Sequence, residues 1–395
     1  MLKKILSTLI LFSALFFASA CKTKEAPGDW QALDTQTADA FFSVNFVNEK
    51  VGWLNAFTDR NYTPIGDAAN NQNANTSAAL KGEAKADSKK DNAARDPKKP
   101  DPLQANQGFE VLQTTDGGAT WNQLPEQFKY KIRSVRFVDP QNGWALTIDR
   151  NILRTTDGGK SWTVQRKAGK VQMKLIGNRR NPVSEQPEQL EQLYFIDANR
   201  GWAWGGGLKN EYAEVPGIFL TTIDGGQHWN QIQYPFSQNI YNAFFLNAQN
   251  GWINTADGEL YRTTDGGLNW TAIQSKPKRP DFTFDSIFFV DENEGWTVGA
   301  SAGRLAKTTD GGTSWRRMGD IKDEFKMKAI WFLDKNEGWA VGENGDILYT
   351  PDGGKNWRTY KSPMDKTLRH IVFVNKDVGY AAGLGGAVIR YRVGG

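Results

Sequence analysis

The chain has 395 residues but one cysteine and two histidines. A single thiol rules out an internal disulfide, so the fold must hold through packing and hydrogen bonds alone. There are only two histidines, His228 and His370, at unrelated places along the chain, which argues against a histidine-ligated metal or a Ser-His triad. Charge of one sign is also scarce. Against 44 Asp and Glu stand 48 Lys and Arg, a net charge of +4, which does not describe a nucleic-acid binder. After residue 21 no segment sustains a 3.6-residue apolar period, so almost no helix is predicted.

What is abundant is glycine and tryptophan, 40 and 15 residues, and both fall in a repeat. TTDGGATW, TTDGGKSW, TIDGGQHW, TTDGGLNW, TTDGGTSW and TPDGGKNW end at Trp121, Trp162, Trp229, Trp270, Trp315 and Trp357. Asp265 to Asp310 is 45 residues, Asp310 to Asp352 is 42 and Asp116 to Asp157 is 41. Such a period fits one four-stranded sheet per repeat, a propeller blade. Each unit opens with an apolar run closed by Asp or Asn, as in SVRFVD, followed by a polar turn and Gly-Trp. A third strand leads into Asp-Gly-Gly, and the Trp opens a fourth. Short β-branched and aromatic runs between Gly, Asn and Asp predict antiparallel strands joined by tight turns.

Seven blades account for the chain. FFSVNFVNEKVGW begins blade one, whose third strand, GFEVLQTT, comes only after an insertion over residues 58–107. The last blade has three strands and then the chain stops. Near the other end, GDWQAL resembles the start of a fourth strand with no blade of its own. Pairing it with the C-terminal strands, with Trp30 buried there, closes the ring and protects an open edge. Six blades with a loose tail would instead leave one three-stranded sheet open. The predicted class is therefore all-β, a seven-bladed propeller of four-stranded antiparallel blades over residues 28–395.

The N-terminus carries Lys3 and Lys4, an apolar run to Phe17, then Ala18-Ser19-Ala20 before Cys21. This pattern predicts a signal peptide over residues 1–20, not a membrane span. A lone cysteine at that junction resembles the lipobox of bacterial lipoproteins, although Ala18 stands where Leu is usual. The resemblance implies lipidation of Cys21 and a tether over residues 21–27. Ordinary secretion with an incidental cysteine is the alternative.

Within the repeat, Asp116, Asp157, Asp224, Asp265, Asp310 and Asp352 occur once per blade. That dispersal favours a structural role, with the carboxylate accepting main-chain hydrogen bonds, over calcium ligation or acid catalysis. The glycines supply turn conformations and the box tryptophans pack on the sheet. The T-x-D-G-G-x-x-W signature with its upstream Gly-Trp resembles the Asp-box repeat. From about residue 28 to 395 the chain is similar to the photosystem II stability and assembly factor family. The resemblance implies a seven-bladed extracytoplasmic propeller that chaperones membrane-complex assembly. Relatives also occur in bacteria without that photosystem. The long insertion and the lack of an arginine-rich stretch through the central blades depart from the photosynthetic members, so the client stays open.

Strand order assigns the uniform turns and the Asp boxes to one face, here the lower. Every large irregularity falls on the upper: 57–107, 165–189, GGGLKNEYAEVPG and SKPKRPD. Loops on rigid scaffolds carry function, so the upper face is the expected binding surface. It gathers Arg166, Lys167, Lys170, Lys174, Arg179 and Arg180 in one connection and Lys276, Lys278 and Arg279 in another. These form a candidate patch for an acidic partner or an anionic membrane, or simply a solvated set of loops. Residues 61–101, rich in Ala, Asn, Lys and Asp, are expected to be a disordered loop.

Asp-box propellers also include sialidases and endoglucanases. The sialidase Arg-Ile-Pro signature is missing here, and a second propeller that would form an endoglucanase cleft is not present. The sequence thus points to a non-enzymatic, cofactor-free and metal-free monomer that binds a membrane protein or a subunit of a membrane complex. A carbohydrate-active or carbohydrate-binding propeller is the alternative.

Overall fold

The computed structural model describes residues 28–36, 40–58, 108–125, 127–175, 184–187, 189–206, 208–209, 213–215, 217–233, 236, 239–256, 258–274, 284–299, 304–318 and 325–394. Seven four-stranded antiparallel sheets follow one another along the chain, their strands paired in sequence order. Blade one uses Ala40–Phe46, Gly52–Thr58, Gly108–Thr114 and Asn122–Gln123. The first strands of neighbouring blades approach one another around the axis. In the seventh blade the fourth strand is Gly28–Ala32, paired with Val388–Val393 in the register Trp30↔Tyr391. The closed seven-bladed ring and its N-terminal strand are as expected. Helix is confined, among the described residues, to Gln127–Tyr130 and a single turn at Glu343–Gly345.

The sequence period explains the core. The second strand of blades two to six starts Gly-Trp, and all five of its residues are buried. Each Trp stacks on the last aromatic of the first strand in the following blade. Trp53 lies on Phe137 and Trp144 on Phe195 at 3.6 Å, and Trp252 on Phe289 at 3.7 Å. The blade's own box Trp meets the same Phe edge-on, as Trp162 meets Phe137 and Trp315 meets Phe289, both at 6.1 Å. Face and edge contacts suit the ring quadrupole, and each Phe is held by two indoles from adjoining sheets. The glycine before each Trp is required by this packing: a Cβ at Gly295 would lie 2.5 Å from the Phe289 ring.

The lower turns form through side-chain acceptors. Asp139 Oδ1 takes the N–H groups of Gln141 and Asn142 at 2.8 and 2.7 Å, and Asn48, Asp197, Asn247, Asp291, Asp334 and Asn375 repeat the pattern. These turns then dock on the Asp boxes. The first box glycine donates its N–H to the neighbouring turn, Gly158 to the Gln141 carbonyl at 3.0 Å and Gly311 to Asn293 at 2.9 Å. Both box glycines have positive φ, 77° and 90° at Gly158 and Gly159, a conformation that penalises any Cβ.

An eighth small sheet departs from the expectation of plain loops. Lys170–Leu175 pairs with Ser184–Pro187 and with Ala213–Val215, which pairs in turn with Leu208–Lys209. The connection between blades two and three is thereby knitted to the excursion inside blade three. Its physical basis is mutual edge pairing: neither segment has a strand of the propeller to donate to, and together they satisfy their backbone groups.

Candidate protein-binding face

The lower face is a fastening. In blade two, Asp157 Oδ1 accepts from the Ser161 N–H at 3.0 Å and the Thr155 hydroxyl at 2.7 Å, while Oδ2 accepts the Ser161 hydroxyl at 2.6 Å. The Thr155 hydroxyl oxygen in turn accepts the Gly159 N–H at 2.9 Å. Asp116, Asp224, Asp265, Asp310 and Asp352 make equivalent sets. These bonds hold the Asp116, Asp157 and Asp224 carboxyls at about 2, the hydrogen bonds outweighing a smaller opposing desolvation. In the third box His228 takes the Ser position, with Nδ1 at 2.6 Å from Asp224 Oδ2. Every one of these carboxylates is saturated by its own turn, and they stand one per blade, which leaves no pair for acid–base chemistry. Of the box tryptophans, Trp162 is buried, and Trp121, Trp229, Trp270, Trp315 and Trp357 are half-buried.

The upper face is where the ring is irregular. The first strands start there, and a β-bulge recurs four residues before the stacked aromatic. Register slips lie at Phe41/Ser43, Ile132/Ser134, Ile240/Asn242, Met327/Ala329 and Leu368/His370. In blades three and five, Glu191 donates to the Trp204 carbonyl while Gln192 pairs with Trp204, and Asp285 and Ser286 stand likewise against Val298. The extra residue is therefore Phe42, Arg133, Glu191, Tyr241, Asp285, Lys328 or Arg369, one from each blade. Bulges re-aim side chains, and these seven stand at one equivalent position of the first strands, which adjoin one another around the upper mouth of the ring.

Electrostatics bear out that convergence. Tyr241 of blade four and Asp285 of blade five both respond to Arg369 of blade seven, and Asp285 also to Lys328. Burial pushes the Asp285 carboxyl up to about 6, with the two cations opposing. Tyr241 exposes 54% of its surface, yet desolvation raises its phenol. The two agree if the side chain stands in a wet funnel whose walls exclude bulk solvent. Burial pulls the Arg133 guanidinium down, with Arg150 adding to the effect and Glu191 opposing it. Next to the ring, burial lowers His370 to about 4. Beside the mouth, Arg133 lies 5.3 Å over Phe109, which packs edge-on to Phe42 and Phe57.

Of the cations singled out by sequence, the four that are described lie outside this ring. Arg166 ends the outer strand of blade two, Lys167 follows, and Lys170 and Lys174 belong to the eighth sheet, Lys174 in register with Glu214. Arg179, Arg180, Lys276, Lys278, Arg279 and Cys21 lie outside the described residues, as do residues 59–107 of the insertion. The mouth residues were missed by the sequence reading. Their signal is a column in the repeat, read four places before the Phe of FVN, FVD, FID, FLN or FLD in each copy. Among the described residues no three His, Cys, Asp or Glu side chains gather in a way that would hold a metal ion.

Comparison with known proteins places this architecture. The family model described as photosynthesis system II assembly factor YCF48 matches residues 221–322 and 320–392. The matched stretches make up less than half of the chain, and over them it resembles that BNR-repeat family. The photosystem II assembly lipoprotein Ycf48 of Synechococcus sp. (strain CC9902) is 39% identical over 62 residues, 15% of this chain and 19% of the relative. The alignment thus spans about a fifth of that curated protein. Among solved structures, YCF48 from Cyanidioschyzon merolae superposes with a TM-score of 0.60 at 16% identity, covering 92% of this chain and 99% of that one. YCF48 bound to D1 peptide gives 0.60 at 16% identity, over 94% and 98%. At that identity the likeness to these two structures is one of fold.

Proposed function

We propose that the chain is an exported, lipid-anchored propeller that binds protein through its upper face and serves as an assembly or stability factor for a membrane complex. It does so as a monomer and without enzymatic chemistry. One observation carries the reading: the two faces are built to opposite rules. The lower face spends its carboxylates and glycine N–H groups on closing the turns within each blade, and its box glycine carbonyls on latching blade to blade. The upper face holds the eighth sheet, the base of the insertion and a mouth lined by six residue types over seven blades. Variation on a uniform scaffold is how a binding surface is presented. The two mouth carboxyls, Glu191 and Asp285, belong to blades three and five, with the blade of Tyr241 between them.

A lipid on Cys21 supports the anchoring half, with residues 22–27 as tether. The Synechococcus relative is a lipoprotein, and a YCF48 structure holds a peptide, both in keeping with a protein client at a membrane surface. The test is affinity purification of the tagged chain from gently solubilised native membranes, with Cys21→Ser as control. Recovery of subunits of one membrane complex, reduced in the control, is expected. A bait free of protein partners but retained on glycans would overturn the reading.

A further inference from the structure

The mouth column is not random around the ring. Blades six, seven, one and two contribute Lys328, Arg369, Phe42 and Arg133, and blades three, four and five contribute Glu191, Tyr241 and Asp285. One arc is cationic with an aromatic at its centre, and the facing arc is acidic and phenolic. We propose that this mouth is the docking site for an extended acidic polypeptide segment, whose side-chain carboxylates are taken by Arg369 and Arg133 on either side of Phe42. The proposal rests on the protein-binding reading and adds to it a location and a ligand chemistry.

The two arginines stand out by what they lack. Lys328 has Glu343 at 2.9 Å, Lys307 has Glu294 at 3.1 Å, and Lys335 has Asp291 at 2.6 Å. Among the described residues neither Arg133 nor Arg369 has a carboxylate within ion-pairing distance, and Arg133 is half-buried. For Arg133 a partly desolvated cation without a close counter-ion is costly to the fold, and an external carboxylate relieves that cost; Arg369 is exposed and offers its charge to a ligand directly. The face of the Arg133 guanidinium is occupied by the Phe109 ring, leaving its in-plane N–H groups for a bidentate acceptor. Phe42 and Phe109 give an apolar wall for the stems of the acidic side chains. The opposite arc repels a carboxylate, so it sets which side of the mouth the segment follows.

The site can be probed with the mature Cys21→Ser chain and fluorescein-labelled, acetylated and amidated dodecapeptides. One alternates Glu and Ala, and its counterparts carry Gln or Lys in place of Glu. Anisotropy should show binding of the Glu peptide that weakens with salt, and a loss of about tenfold or more in the Arg133→Glu/Arg369→Glu double variant. Reversal of Arg166 and Lys167 should leave binding intact. Melting curves verify folding, and an Arg133→Gln/Arg369→Gln pair, expected to lose less affinity, replaces the reversal if that variant unfolds. Equal binding of the Gln or Lys peptide, or unchanged affinity in a folded double variant, overturns the proposal. Purification from membranes separates it from the broader reading. If the wild type and the double variant recover the same partner, protein binding stands and the mouth does not. If the Glu peptide binds while no membrane partner is recovered, the reverse holds.

Discussion

The indole N–H of Trp252 donates to the Gly311 carbonyl at 2.8 Å, across the boundary between blades four and five. Trp144 to Gly225, Trp202 to Gly266 and Trp296 to Gly353 repeat this latch at 2.9, 2.8 and 3.1 Å. The Gly-Trp pair and the Asp box are thus two halves of one joint, each in a different blade. At the seventh joint, the Tyr380 hydroxyl takes the place of the indole and bonds to the Glu49 carbonyl at 3.0 Å. Trp53 and Trp339 are equally buried, but their Nε1 atoms have no partner among the described residues.

That difference makes the latch measurable. Trp252→Phe keeps an aromatic against Phe289 but strands the Gly311 carbonyl, whereas Trp53→Phe gives up ring size alone. Urea unfolding should show the first variant less stable than the second by about 1–2 kcal/mol. Equal losses would mean that stacking is the whole of the joint.

Ring closure depends on Trp30, 5% exposed and packed on Trp339, Phe373 and Tyr391 at centroid distances of 5.7, 6.1 and 5.5 Å. The blade-seven joint has no Asp box, and Trp30 fills the place beside Trp339, whose own stack on Phe373 is looser at 5.9 Å. Trp30→Ala should cost about 3–5 kcal/mol. Deleting residues 28–32 should also free the Val388–Val393 edge and produce aggregates by size-exclusion chromatography. A monomeric deletion with unchanged melting would show that three strands suffice.

The fold was legible because its determinants are local and repeated. The Asp-Gly-Gly turn needs positive φ, the Gly before Trp is forced by a Phe ring, and Trp30 stands where a fourth strand should begin. What was not legible depends on register. The bulges at Arg133 and Arg369 are set by how one strand slips against the next, and such slips are marked by no residue type, only by a place in the repeat that becomes informative once the register is seen. The eighth sheet escaped for a similar reason: Lys170–Leu175 and Ala213–Val215 are far apart in sequence, and each reads as a loop until it meets the other. The basic cluster was read from loop composition, which records charge but not where a strand will aim it.

Acid should loosen the boxes together. The Asp116, Asp157 and Asp224 carboxyls sit at about 2, below their ordinary 3.8. Between those values the unfolded chain binds more protons than the folded one, so the stabilisation is present above about pH 4 and is lost as pH falls toward 2. The groups are largely solvent-facing, so each box contributes at most about 1 kcal/mol. Melting temperatures should fall steeply in that window, and Asp157→Ala should lower stability at pH 7 while flattening part of the acid slope. A variant with the wild-type slope would remove the box carboxylate from the account.

Asp285 should behave in the opposite sense. Its carboxyl is raised to about 6 from 3.8, by burial first and against the pull of Lys328 and Arg369. Over that interval the folded chain holds the proton more tightly than the unfolded one, so stability declines as pH rises through it and the full cost is present above pH 6. Asp285→Asn keeps the shape of the side chain and removes the buried charge. At pH 7.5 it should be more stable than the parent by about 1–2 kcal/mol after allowance for solvent in the funnel, with the gap closing toward pH 4. Such a gain would mark Asp285 as a group retained at the mouth at the expense of stability, as sites selected for binding are. A variant that melts lower at pH 7.5 would instead make the ionised carboxylate a stabilising partner of Arg369 and Lys328, and the acidic arc a structural brace.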